Sequence, residues 1–174
     1  RDARNQPISR HFVNVASCGM GGLVVKDVAK PGRLLGGSAL YLQASLAALV
    51  KGSAARLSAV ATTDAGEETF ELTTRILAIS NGRYFGGGME LAPHADPGDG
   101  FFDVLWVEGD GRWPMLPVLA GVYDGSHLAQ AAVRRRRVRK LTLTPVGPFD
   151  PATFLCDADG EVAGTVVYPA TPTG

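Results

Sequence analysis

At Ala55 the spacing of apolar residues changes, and that change constrains the fold more than any other feature. Before it, Leu35, Ala39, Leu42, Leu46 and Leu49 recur every three or four residues, the spacing of one amphipathic helix face. Lys51-Gly52-Ser53 closes this segment, with a cation in the last turn and glycine at the exit. After it, Arg56 to Val60 and Thr69 to Thr73 alternate about Asp64-Ala65-Gly66, the pattern of a β-hairpin. One helix is therefore followed by a chain that reads as strands.

Further strands are expected over Arg75 to Ser80, Phe101 to Val107, Arg139 to Thr144, Phe154 to Cys156 and Gly164 to Tyr168. His11 to Ala16 reads as a strand leading into a bend supported by Gly19, Gly21 and Gly22. Trp113 to Val122 reads as a short second helix, with Pro114 near its first turn. With 22 Gly and 11 Pro in 174 residues, many turns join many short elements. The fold class is mainly β (α+β): an antiparallel β-sandwich with one packed amphipathic helix and a short second helix, in one domain.

Lys+Arg and Asp+Glu both number 17, so net charge points to neither a nucleic-acid nor a strongly acidic partner. Arg134 to Arg137, Arg139 and Lys140 form a local basic block. It reads either as a solvated strand edge whose charges block edge-to-edge pairing or as a contact for phosphate-bearing surfaces. The stretch Leu34 to Val50 is too short and too interrupted to span a bilayer. Cys18 and Cys156, far apart in sequence and without metal-ligand spacing, read as buried reduced thiols of a cytosolic protein. A start at Arg1 rather than methionine suggests a processed or cut chain. His94 and His127 have no partners at a ligand spacing and read as satisfied or exposed side chains.

Three segments carry a resemblance. The longest is Asn81-Gly82-Arg83-Tyr84-Phe85-Gly86-Gly87-Gly88, which continues through Ala92-Pro93 and Asp99-Gly100 to Asp103-Val104. The second is Phe12-Val13-Asn14-Val15-Ala16-Ser17-Cys18-Gly19, and the third is Asp159-Gly160-Glu161 followed by Tyr168-Pro169-Ala170. In order and spacing they resemble the C-terminal domain of the diacylglycerol kinase and sphingosine kinase family of lipid kinases. Thr171 departs from that family's closing leucine, and no "G-G-D-G-T" nucleotide loop occurs in the sequence.

The resemblance implies that the chain is the lipid-substrate half of a two-domain kinase. A separate N-terminal nucleotide-binding domain would hold ATP, so this chain alone would be catalytically incomplete. The implied acceptor is diacylglycerol or a related lipid, met by a cytoplasmic protein that binds peripherally at the inner membrane surface. It assigns the general base to Glu161 and a structural Mg²⁺ to Asp99 with the main-chain oxygens of Asp96 and Phe101. Without it, Asp99-Gly100 and Asp159-Gly160 are plain hairpin turns, and Asp157-Ala158-Asp159 lacks the further ligands of a calcium loop. Gly86-Gly87-Gly88 would let the backbone approach a neighbouring segment or a lipid head closely. Phe12, Phe101, Phe102 and Trp106 read as core residues of a kind that could also wall an acyl chain. A non-enzymatic lipid- or partner-binding sandwich is the rival reading, a nicotinamide-dinucleotide kinase relative is a third, and a homodimer is left open.

Overall fold

The computed structural model describes residues 9–30, 37–148 and 150–165. Among the described residues there are eight antiparallel strands: β1 (Val15–Gly19), β2 (Ala55–Thr63), β3 (Gly66–Ser80), β4 (Phe102–Glu108), β5 (Val133–Val138), β6 (Lys140–Pro145), β7 (Leu155–Ala158) and β8 (Glu161–Thr165). Three α-helices accompany them: α1 (Met20–Val28), α2 (Gly37–Lys51) and α3 (Met115–Gly121).

The 15-residue β3 organises the molecule. Its first half pairs with β2, which pairs on its other side with β6. Its second half pairs with β1 and β4, extending the order to β5-β4-β3-β1-β7-β8. The two halves meet at a register shift between Thr74 and Leu77. There the buried Thr74 hydroxyl donates to Val107 O at 2.8 Å and accepts Ile76 N–H at 3.1 Å, satisfying groups the irregular ladder leaves open. The two leaves enclose Leu57, Ala59, Leu72, Leu77, Val104, Trp106 and Phe154. A second core lies between the sheet and the helices, built from Met20, Val24, Ala44, Ala48, Val107, Met115 and Val118.

The mainly β sandwich expected from the sequence is the observed class, and the Asp64-Ala65-Gly66 hairpin lies where the alternation put it. Several element readings need correction. Arg75 to Ser80 is not a separate strand but the second half of β3. The strand near His11 begins only at Val15 and ends at Gly19, and Gly21 and Gly22 lie in α1 rather than in a bend. Close packing explains those glycines. A Cβ on Gly21 would lie 1.8 Å from Ser17 Oγ, and one on Gly22 would lie 2.6 Å from Leu155 Cβ. The strand expected over Phe154 to Cys156 runs over Leu155–Ala158, and the one expected from Gly164 begins already at Glu161. The last residues expected in it, from Val166 to Tyr168, fall outside the described residues.

The helix face read from the sequence also turns over. Leu40, Ala44, Ala48 and Leu49 are buried, while Leu42 and Leu46 are 42% and 45% exposed. Small Ala44 and Ala48 let α1 and α2 come close together, so the buried stripe is the one with less bulk. Leu35 lies outside the described residues.

Candidate functional site

The three motif segments converge on Asn14, at the entrance to β1. Its main-chain oxygen accepts N–H groups from Asn81 at 2.8 Å and Gly82 at 3.0 Å. Its side-chain Nδ2 donates to Tyr84 O at 2.8 Å, and Asn81 Nδ2 donates back to Val13 O at 2.7 Å. Gly82 is required here, because a Cβ would lie 2.3 Å from Asn14 Oδ1.

From the other side comes Asp159, at the tip of the β7–β8 hairpin with φ 48°. Its carboxylate accepts three main-chain N–H groups: Val13 at 2.6 Å, Asn14 at 2.9 Å and Val15 at 3.0 Å. Burial would raise its pKa, but those three donors outweigh burial and hold it below the usual carboxylate value. Asp159 is thus a latch that fixes the hairpin to the start of β1. The adjoining Glu161 opens β8, opposite Ala158, with its side chain exposed. Sequence reasoning missed Asn14 and Asp159 as functional supports. Both stand inside the quoted motifs, where Asp159 had been read only as a turn residue.

One step back along β7, Asp157 is buried and accepts a hydrogen bond on Oδ1 from the Ser17 hydroxyl of β1. Burial pushes its pKa up to about 6; nearby Asp159 adds to the shift, and the Ser17 and Gly160 donors oppose it. Ser17 and Gly21 border an apolar cavity of about 70 Å³, space for roughly five water-sized groups. Its walls include Met20 and Val24 of α1, Ile76 of β3, Leu105 and Trp106 of β4, and Met115, Val118 and Leu119 of α3. Phe85, Met89 and Leu91, from the longest motif segment, complete it. Of the aromatic residues singled out from the sequence, only Trp106 lies on the wall. Phe12 instead packs on Phe102, with ring centroids 5.4 Å apart. His127 is buried at the cavity margin, its Nε2 3.0 Å from Leu91 O and its Nδ1 3.3 Å from Gly121 O, whereas His94 is exposed.

The glycine run serves α2. A Cβ on Gly86 would lie 2.1 Å from the Tyr41 ring, and Ser38 Oγ donates to Gly87 O at 2.7 Å. The neighbouring segment it approaches is therefore the first turns of that helix.

Asp96, Asp99 and Phe101 form the turn before β4. Asp99 N–H donates to Asp96 O at 3.2 Å, and Asp99 Oδ1 accepts Phe101 N–H at 2.8 Å. Its Oδ2 accepts from Arg137 Nη2 of β5 at 2.8 Å. The Phe101 N–H, then Arg137, hold the Asp99 carboxyl below its ordinary value. The guanidinium carbons of Arg137 and Arg139 lie 4.0 and 3.9 Å from the Phe101 ring centroid. The hard oxygens of this turn suit Mg²⁺ in kind, so the residue set fits the ion's chemistry. Arg137 already answers the carboxylate charge, however, and a dication would have to displace it. No cluster of three or more His, Cys, Asp or Glu suited to a metal occurs among the described residues.

Three more arginines of the basic block form ion pairs. Arg135 pairs with Asp103 at 2.7 Å, Arg136 with Glu68 at 3.5 Å and Arg139 with Asp64 at 2.9 Å. Arg135 and Arg136 lie on β5, at one end of the strand order, and Arg139 lies between β5 and β6.

The described residues thus form a bent antiparallel sandwich with helices packed on one leaf over an apolar cavity. Residues 14–172 match the family described as the YegS C-terminal NAD kinase beta sandwich-like domain, and the chain belongs to that family. Diacylglycerol kinases of Mycobacterium tuberculosis strains H37Rv and CDC 1551 are each 26% identical over 100 residues, 56% of this chain and 32% of theirs. The fold also resembles solved structures of Bacillus anthracis str. Sterne proteins assigned as diacylglycerol kinases. One has a TM-score of 0.58 at 17% identity, covering 87% of this chain and 46% of that one. Another has a TM-score of 0.55 at 19% identity, covering 88% and 48%. The matched part of this chain thus spans about a third of the curated relatives' length.

Proposed function

We propose that this chain is the lipid-acceptor half of an ATP-dependent kinase that phosphorylates a lipid hydroxyl, diacylglycerol or a close relative. The observation that carries the reading is the apolar cavity, whose wall takes Ser17, Phe85, Met89 and Leu91 from the motif segments themselves. Acyl-chain burial there would leave the glycerol hydroxyl near the cluster held by Asn14 and Asp159. A nucleotide-binding domain joined to this one supplies ATP, and the lipid is met at a membrane surface. Among the described residues no helix is long and apolar enough to cross a membrane.

In this reading Glu161 accepts the hydroxyl proton as the lipid oxygen bonds to the γ-phosphorus and ADP leaves. Its exposure suits a group that must meet a substrate arriving from outside. Mg²⁺ held by Asp99 and the main-chain oxygens of Asp96 and Phe101 would brace the turn before β4, in place of the Arg137 pairing. The test is Glu161→Gln in the kinase assembled with its nucleotide-binding half, assayed as phosphatidic acid formed from diacylglycerol and ATP. Loss of the base should lower kcat by about 10²–10⁴-fold, with the melting temperature unchanged. Activity within about threefold of the parent would remove Glu161 from the chemistry. A joined protein that binds diacylglycerol but transfers no phosphate would favour the non-enzymatic module.

A further inference from the structure

Two reactive groups on the interior face of the sheet take no part in the chemistry above. Cys18 of β1 and Cys156 of β7, 138 residues apart in sequence, are direct partners in antiparallel register. Their Sγ atoms lie 2.9 Å apart, and no disulfide joins them. Opposed residues of an antiparallel pair hold their Cα atoms roughly 4.5–5.5 Å apart. That interval falls within the ~4.4–6.8 Å that a disulfide spans, so strand pairing has already aligned the two side chains. The sulfurs stand about 0.9 Å beyond the ~2.05 Å of an S–S bond. A side-chain adjustment closes that gap without moving the backbone.

We propose that Cys18 and Cys156 are an oxidation-sensitive dithiol, which a low-molecular-weight disulfide converts into a cross-strand disulfide fixing β7 to β1. The electrons and atoms balance by exchange. The Cys156 thiolate attacks one sulfur of the oxidant, forming a mixed disulfide and expelling one small thiolate. The Cys18 thiolate then attacks Sγ of Cys156 and expels the second. Two protein thiols thus lose two protons and two electrons, and the oxidant leaves as two thiols. The order follows from the surroundings: Cys156 is half-buried, whereas Cys18 is buried. The hydrogen bond with Cys156, then burial, then the charges of Cys156 and Asp157 raise the Cys18 pKa, and capping Cys156 as a mixed disulfide removes its hydrogen bond and charge before Cys18 attacks. β7 runs on to Asp157, the Asp159 latch and Glu161, so the bond would staple the whole hairpin to β1. The proposal holds whether or not the chain serves a kinase.

Incubation with oxidised glutathione, followed by alkylation under denaturing conditions and non-reducing peptide mapping, tests it. The expected product is a monomer lacking two hydrogens, with a single Cys18–Cys156 cross-linked peptide. Its melting temperature should rise by several degrees and return with dithiothreitol. Cys18→Ser should stop at a glutathione adduct on Cys156, and Cys156→Ser should leave Cys18 unreacted. Two fully alkylatable thiols after equilibration, or only glutathione adducts or intermolecular dimers in the parent protein, would overturn the proposal.

Discussion

Asp157 shows how a single buried carboxyl shapes the region. Its Oδ2 has no hydrogen-bond partner among the described residues, and burial lifts its pKa from 3.8 to about 6. As pH rises through that window the unfolded chain gives up its proton while the folded chain keeps it. Stability therefore falls between about pH 4 and pH 6 and levels off above. The shift corresponds to ~3 kcal/mol. Asp157→Asn keeps the shape and an acceptor for Ser17 but carries no charge. Its melting temperature should exceed the parent's by several degrees at pH 7.5, and the gap should close near pH 4. Thermal melts at both values decide, and an equal gap at the two would show that charge burial is not the cause. Nothing in the sequence marked this residue, since Asp157-Ala158-Asp159 reads as a turn or a failed calcium loop. Its burial follows only from β7 lying beside β1. Asn14 and Asp159 were legible as motif positions, but their role depends on contacts about 145 residues apart in sequence.

At the scale of elements, hairpins were legible because alternation and turn residues act locally. Elements whose form is set by packing were not. α1 was hidden by Gly21 and Gly22, poor helix formers placed where Ser17 and Leu155 leave no room for a side chain. The buried face of α2 was misread because leucines were taken as the core, whereas the neighbouring helix selects Ala44 and Ala48. The turn before β4 and the strand β5 make one unit through Asp99 and Arg137. If Mg²⁺ occupies the turn, it competes with that guanidinium. Arg137→Gln should then strengthen the rise in melting temperature that Mg²⁺ produces, and Asp99→Ala should abolish it. Melts at increasing Mg²⁺ check both, and identical curves for parent and variants would leave the turn held by Arg137 alone.

For the whole molecule, the sandwich positions two things together: an apolar cavity between the helices and one leaf, and a polar cluster built from segments at opposite ends of the chain. The first is lined by apolar side chains, and the second orders the hairpin that bears Glu161. Resemblance indicated the cluster's members, but the cavity needed α1 and α3 in place, and its wall mixes strands, helices and a loop. Leu42, Leu46 and Val50 form a competing apolar surface on the outside of α2, 42%, 45% and 65% exposed. The most direct test distinguishes the two places. Diacylglycerol with a photoactivatable acyl chain is cross-linked to the domain, and the modified peptides are mapped. Labelling should fall on the cavity segments around Leu105 and Met115–Leu119, be displaced by unlabelled diacylglycerol, and drop at least about tenfold in a Leu119→Trp variant that melts like the parent. Labelling confined to the outer face of α2, or undiminished in the filled variant, would contradict a lipid-acceptor cavity in this domain.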